Sequence, residues 1–163
     1  MNNLFLTGEI QVGKSTLLRK LIAKSGLRPG GAETGFGPWR GEEIRRLFLH
    51  PYGFPDYSRE AICAHMGPEG KTAFPQVFDT RGAALVRAAL EDPEIQVIVL
   101  DELGFLEKDA REFRKAVLEA LAGPKPVWGV VRLGLGAWGD TDLGRVITVT
   151  GENRDRLADS LLP

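Results

Sequence analysis

The amino-acid sequence predicts an α/β fold in which helices cover both faces of a mainly parallel sheet. Apolar segments of strand length alternate with amphipathic segments of helical spacing over much of the chain. Residues 95–100 form a nearly continuous apolar run, which is typical of a strand buried on both faces. A glycine-rich segment joins the first strand to the first helix. A chain of 163 residues is expected to form one domain over residues 1–163.

The first strand and helix enclose a recognisable motif. The strand is predicted over residues 3–7 and the helix over 14–25, and residues 8–15 between them match G-x-x-x-x-G-K-[ST]. In this context the pattern predicts a phosphate-binding loop whose backbone N–H groups face an anion. The predicted nucleotide-binding residues are Gly8, Glu9, Ile10, Gln11, Val12, Gly13, Lys14, Ser15 and Thr16.

Two side chains of this loop have predicted roles of their own. Lys14 is expected to reach the β- and γ-phosphates of a nucleotide, which makes it a predicted catalytic residue. The Ser15 hydroxyl is expected to bind Mg²⁺, the predicted cofactor. The alternative is a glycine-rich strand-to-helix turn that carries a solvated lysine. The flanking strand and helix favour the phosphate-binding loop.

The middle of the chain has a different character. Gly26 and the cluster at residues 29–31 are expected to end the first helix. The segment 36–75 is rich in glycine, proline and aromatic residues, with a possible strand over 44–49. We interpret it as a small antiparallel insert in the predicted domain.

The second half of the chain returns to alternating strands and helices. The helices are predicted over 80–90, 109–121 and 153–162, and the strands over 95–100, 126–131 and 145–150. The strand over 95–100 ends in Asp101 and Glu102. Ligands of open α/β sheets bind at the carboxyl ends of the strands, so these acids are expected at the nucleotide site. The alternative is a strand that ends in a solvated acidic turn.

The two acids suit different tasks. Asp101 is predicted to hold Mg²⁺, as the corresponding aspartate does in P-loop NTPases. Glu102 is predicted to be the second catalytic residue. A carboxylate is ionised at neutral pH and can orient the attacking water or accept its proton.

Composition limits the classes of partner. The chain has 21 basic and 22 acidic side chains and a net charge of −1, which gives no reason to expect nucleic-acid or membrane binding through bulk charge. Cys63 is the only cysteine, so an intrachain disulfide is excluded. No apolar run has the length of a membrane span, and the first residues lack the basic region of a signal peptide. A cytoplasmic location is the expectation.

Four segments resemble one known family, the small nucleoside-triphosphatases that include the cancer-related nucleoside triphosphatase. Residues 101–107 (D-E-L-G-F-L-E) resemble its D-E-[IL]-G-K-M-E signature, and residues 149–155 (V-T-G-E-N-R-D) resemble its V-T-x-E-N-R-[DN] signature. Residues 126–132 lie where the family has the strand P-V-[IL]-A-T-V-H, and residues 34–36 resemble its Gly-Phe segment. Order and spacing match across almost the whole chain.

The resemblance implies a function and a fold. It implies an enzyme that hydrolyses ATP, GTP and other nucleoside triphosphates to the diphosphate with Mg²⁺, slowly and with broad base specificity. It also implies a three-layer P-loop NTPase fold of the RecA-like kind.

The chain also departs from the family pattern. Glu9, Ile10 and Gln11 replace the Pro-Pro-Gly of the family loop, so that a negative charge enters the loop and a glycine is lost. Phe105 replaces a lysine, and it either packs in the core or faces the nucleotide. Arg132 replaces a histidine, and it is either a solvated strand-end residue or a substitute for the missing cation.

Two other functions remain possible from the sequence. A small-molecule or nucleoside kinase on the same fold would need an acceptor site and usually an arginine-rich lid, and the basic residues within 111–115 lie on a predicted helix with acids among them. A nucleotide-binding module would keep the altered loop but lose turnover.

Overall fold

The computed structural model describes residues 2–161, and residues 1, 162 and 163 lie outside the described part. Its strands are β1 (Leu4–Thr7), β2 (Pro29–Phe36), β3 (Arg45–Pro51), β4 (Ile62–Gly67), β5 (Gly70–Ala73), β6 (Val97–Leu103), β7 (Val127–Val131) and β8 (Arg145–Thr148). They form one eight-stranded sheet in the order β5-β4-β3-β2-β6-β7-β1-β8.

The sheet has a parallel and an antiparallel part. The strands β2, β6, β7, β1 and β8 are parallel neighbours. The strands β3, β4 and β5 extend the sheet in antiparallel fashion from β2 and lie within the predicted insert. The strand β7 therefore separates β1, which leads into the glycine-rich loop, from β6, which ends in the acids.

Helices cover both faces of the parallel part. They are α1 (Lys14–Ser25), the single turn α2 (Pro75–Val77), α3 (Ala83–Glu91), α4 (Arg111–Leu121) and α5 (Arg154–Ser160), and a π-helical turn (Phe78–Gly82) joins α2 to α3. On one face, Leu18 of α1 packs in the same core as Leu6 of β1. On the other, Phe113 of α4 packs with Phe5. Because neighbouring residues of β1 point to opposite faces, a three-layer fold follows.

Three strands were not predicted individually: β4 and β5, which lie within the predicted antiparallel insert, and β2. Gly26 ends α1 in the left-handed conformation, as predicted, but residues 29–31 belong to β2 and not to a turn. A Cβ on Gly31 would lie 2.1 Å from the carbonyl oxygen of Val99 in β6. Glycine is needed here for the close approach of two strands, so its interpretation as a helix-ending signal was wrong.

The remaining predicted elements are present with shifted ends. The strand predicted over 95–100 starts later and includes both Asp101 and Glu102. The helix predicted over 153–162 corresponds to α5, and residue 162 lies outside the described part. Among residues 2–161, no helix combines the length and apolar character that crossing a membrane requires.

Candidate active site

The glycine-rich loop connects β1 to α1 at the carboxyl edge of the parallel strands. Gly8 has a φ of 147°, and a Cβ there would lie 2.5 Å from the carbonyl oxygen of Val149, so no larger residue fits. Gln11 has a φ of 64°. This left-handed conformation costs a non-glycine residue about 1 kcal/mol. The loop therefore carries backbone strain at the position where the family has glycine.

The loop and the start of α1 have two features that suit an anion. The Lys14 ammonium donates a hydrogen bond to the Gly8 carbonyl oxygen at 2.6 Å, so the lysine lies across the loop. The first N–H groups of a helix have no partner within it, and they carry the positive end of the helix dipole. Both features favour phosphate at this point.

The acid pair lies near the end of β6, and β7 separates this strand from β1 and its loop. Asp101 is 8% exposed, and burial raises its pKa to about 6, with smaller contributions from the nearby carboxylates of Glu102 and Glu33. A hydrogen bond from the Ser15 hydroxyl opposes this rise in the pKa. Glu102 is exposed and lines the cavity, where it is accessible to a bound ligand. One acid therefore lies against the loop serine, and the other faces the open space.

One cavity brings the predicted residues together. It has a volume of about 820 Å³, a size suited to a small-molecule ligand. The predicted residues that line it are Gly8, Glu9, Ile10, Gln11, Gly13, Lys14, Ser15, Thr16, Asp101 and Glu102. Val12 is not among them, and its carbonyl oxygen instead accepts a hydrogen bond from the Arg154 guanidinium at 3.3 Å.

Next to the site lies an acid that the sequence did not indicate. Glu33 of β2 pairs in register with Asp101, and its carboxylate lies 3.6 Å from Nδ1 of the buried His50. It also accepts a hydrogen bond from the backbone N–H of Gly53 at 3.1 Å. Because residues 29–31 were interpreted as a turn, no pattern in the sequence pointed to an acid on a strand at Glu33.

The donors fit Mg²⁺ bound together with a nucleotide. Within residues 2–161, no group of three or more histidine, cysteine, aspartate or glutamate side chains could hold a metal ion by itself. Mg²⁺ is usually bound by one or two carboxylates, with waters and substrate phosphates completing its octahedron. The buried Asp101 carboxylate and the Ser15 hydroxyl beside it provide oxygen ligands of this kind.

The segment after β6 is fixed by a buried carboxylate. Glu107 accepts hydrogen bonds from the backbone N–H of Gly104 and, at 2.8 Å, from Nε1 of Trp138. Phe105, between them in sequence, is 51% exposed and lines the cavity, so it does not pack in the core. Its ring lies under the guanidinium of Arg132, with the guanidinium carbon 5.1 Å from the ring centroid.

The segment over residues 149–155, the second family signature, closes the turn after β8 and contacts the glycine-rich loop. The Asn153 side chain accepts a hydrogen bond from the Thr150 N–H at 2.7 Å and donates one to the Thr148 carbonyl at 2.9 Å. It therefore closes the turn after β8 and makes no side-chain cap on α5. The next residue, Arg154, contacts the loop at Val12.

The strand order and the loop define a P-loop NTPase fold of the RecA-like kind, as predicted. A solved structure supports this: THEP1 from the hyperthermophile Aquifex aeolicus matches with a TM-score of 0.65 at 23% identity, over 99% of this chain and 97% of that one.

The chain belongs to the NTPase family, because the family's sequence profile matches residues 3–162. Among its relatives, the nucleoside-triphosphatase THEP1 of Thermofilum pendens is 32% identical, over 98% of this chain and 92% of that protein. The nucleoside-triphosphatase THEP1 of Methanocaldococcus jannaschii is 29% identical, over 98% and 94%. The predicted family and enzyme class, a nucleoside-triphosphatase, are confirmed.

Proposed function

We propose that this protein hydrolyses the β–γ bond of nucleoside triphosphates with Mg²⁺, slowly and with little preference among bases. The proposal depends on the observation that one cavity is lined by all four of the residues Lys14, Ser15, Asp101 and Glu102. Phosphoryl transfer needs positioned positive charge, a metal and an oriented nucleophile. These residues provide a group for each of the three.

Each residue has a defined task in this proposal. Lys14 exchanges its hydrogen bond with the Gly8 carbonyl for the β- and γ-phosphate oxygens, while the N–H groups at the start of α1 hold the phosphate chain. Asp101 and Ser15 would hold Mg²⁺, which would supply positive charge to offset the charge of the phosphates. Glu102 orients the attacking water and accepts its proton.

Slow turnover with little base specificity is inferred from three features. The strained Gln11 and the additional negative charge of Glu9 both oppose tight binding of a polyphosphate by the loop. The chain contains no N-K-x-D segment that would select guanine. Strict specificity for GTP is therefore not expected.

The kinase alternative loses Arg114, one of the three basic residues of its candidate lid. Arg114 of α4 donates hydrogen bonds to the Ala137 carbonyl at 3.0 Å and to Asp140 at 2.9 Å. Its guanidinium also lies 4.9 Å from the ring centroid of Trp138. This arginine is part of the packing between α4 and the loop after β7, so it is not free to close over a substrate.

A phosphate-release assay tests the proposal. We expect release from ATP, GTP, CTP and UTP with Mg²⁺, and none with a chelator. Release that requires an acceptor molecule would instead indicate a kinase, and nucleotide binding without release would indicate a binding module.

Two variants with matched controls assign the site. Lys14→Ala should abolish turnover, whereas Lys20→Ala, which removes an exposed lysine of the same helix, should not. Glu102→Gln should bind ATP but hydrolyse it about 100-fold more slowly, the usual scale for a lost general base. Glu91→Gln, at an exposed glutamate of α3, is its control. Unchanged turnover in both Lys14→Ala and Glu102→Gln would exclude this cavity as the active site.

A further inference from the structure

We propose that Arg132 is the second catalytic cation of this site, and that its guanidinium binds the γ-phosphate and stabilises the charge that develops during transfer. The inference deepens the proposed hydrolysis and rests on it. Phe105 stands where the family has a lysine and carries no charge, and the proposal assigns the missing positive charge to Arg132.

The topology places Arg132 between the two halves of the site. Arg132 directly follows β7, the strand that lies between β1 and β6. Its backbone N–H donates to the Leu103 carbonyl at 2.8 Å, so it continues the ladder along the end of β6. The loop that would hold the phosphates follows β1, and the acids end β6. A side chain that leaves the end of β7 therefore enters the space between phosphate loop and acids, where the terminal phosphate must lie.

The guanidinium is available for a ligand. Arg132 lines the cavity together with Lys14 and Glu102. Within residues 2–161, no carboxylate lies at salt-bridge distance from it, although several other arginines have such partners. An arginine is always ionised, and its planar fork matches phosphate oxygens in a bidentate manner. A charge without a counter-ion in a concave site favours an anionic ligand.

The arginine is also held in position before any ligand arrives. Its guanidinium lies over the Phe105 ring, and its stem packs on Gly104, where a Cβ would be 3.4 Å from the arginine Cβ. Glu107 fixes the backbone of Gly104 in turn. Charge placed in advance stabilises a transition state without reorganisation at the moment of reaction.

The other basic groups around the cavity have different positions. Lys71 lies on β5, at the far edge of the antiparallel part of the sheet. Arg154 contacts the carbonyl of Val12 and does not line the cavity. Arg19 of α1 is close enough to lower the pKa of Asp101, but it does not line the cavity. Arg132 is therefore the arginine that the cavity presents to a ligand.

Three variants test the assignment. An arginine that stabilises the transferring phosphoryl group contributes a factor of about 10³ or more to turnover. Arg132→Gln and Arg132→Ala should therefore lower kcat by at least about 10³-fold, with KM changed only a few-fold. Arg132→Lys keeps the charge without the fork, and it should retain more activity than Arg132→Gln. Arg145→Ala is the control, because it removes an equal charge from an exposed position at the start of β8.

A binding measurement separates a catalytic from a structural role. ADP lacks a γ-phosphate, whereas ADP with aluminium fluoride and Mg²⁺ imitates the transferring group. Arg132→Gln should bind ADP like the wild type but should lose most of the additional affinity that aluminium fluoride gives. Equal loss of affinity for both ligands would indicate a structural defect and overturn the assignment.

The outcomes of the two proposals can be distinguished. If the wild type hydrolyses nucleotides and Arg132→Gln does so at the same rate, the role of Arg132 is refuted while the proposed function stands. If the wild type releases no phosphate and also binds ADP–aluminium fluoride no better than ADP, both proposals fail. Should Arg132→Ala not fold, the comparison of Arg132→Gln with Arg132→Lys decides, since both keep a long side chain over Phe105.

Discussion

Asp101→Asn should make the nucleotide-free protein more stable at neutral pH while it impairs the metal site. Burial raises the pKa of this carboxyl from 3.8 to about 6. The unfolded chain ionises at the lower value, so between these two pH values the folded state binds more protons than the unfolded one. Stability from this group is therefore lost as the pH rises through that window, and an uncharged amide avoids the loss.

The magnitude follows from the pKa difference. One pKa unit corresponds to about 1.4 kcal/mol, so the ionised carboxylate should lower the free energy of unfolding by about 3 kcal/mol at pH 7.5. At pH 4 the folded state is almost fully protonated and the unfolded state is partly so, because pH 4 lies close to the unfolded pKa of 3.8. The difference between wild type and Asp101→Asn should therefore fall below about 1 kcal/mol. Asn keeps the size of the side chain and an acceptor for the Ser15 hydroxyl.

Urea unfolding of the wild type and of Asp101→Asn, at pH 7.5 and pH 4 in the presence of a chelator, measures the difference in their free energies of unfolding. Asp109→Asn, which replaces an exposed aspartate of the following loop, serves as the control for loss of one negative charge. Addition of Mg²⁺ and a nucleotide should stabilise the wild type more than Asp101→Asn, because the ionised carboxylate is then a ligand. A stability difference that is the same at both pH values would refute the reasoning.

Two further changes have expected outcomes. Gln11→Gly should raise the free energy of unfolding by about 1 kcal/mol, because glycine adopts the φ of 64° without strain; an unchanged or lower urea midpoint would show that the loop is relaxed with glutamine. Glu107→Ala should lower the free energy of unfolding by about 3 kcal/mol, because it leaves the N–H groups of Gly104 and Trp138 buried without an acceptor. Glu107→Gln, which keeps an acceptor, should lose less in the same urea titration, and an equal loss would contradict this account.

Local sequence patterns were sufficient to predict the central elements of this protein. The phosphate-binding loop depends on a strand, a glycine-rich turn and a helix that follow one another within about twenty residues, so its signal is contiguous in the chain. The apolar run before Asp101 and Glu102 is equally local. Their roles remain predictions, but the structure brings all of them except Val12 to one cavity. The fold class, predicted from the order of such segments, and the family, predicted from a resemblance to its signatures, are both confirmed.

Long-range contacts decided the remainder. Gly31 reads as a helix breaker in sequence, and only the close backbone of β6 shows why a strand needs glycine there. Glu33 comes next to Asp101 because β2 and β6 are neighbours, although 67 positions separate them in the chain. The contact between Phe105 and Arg132 likewise joins two strand ends. Side-chain periodicity in the sequence indicates whether a residue is buried. The order of the strands, however, depends on the packing of the whole sheet, and this order decides which charged residues meet at the sheet edge.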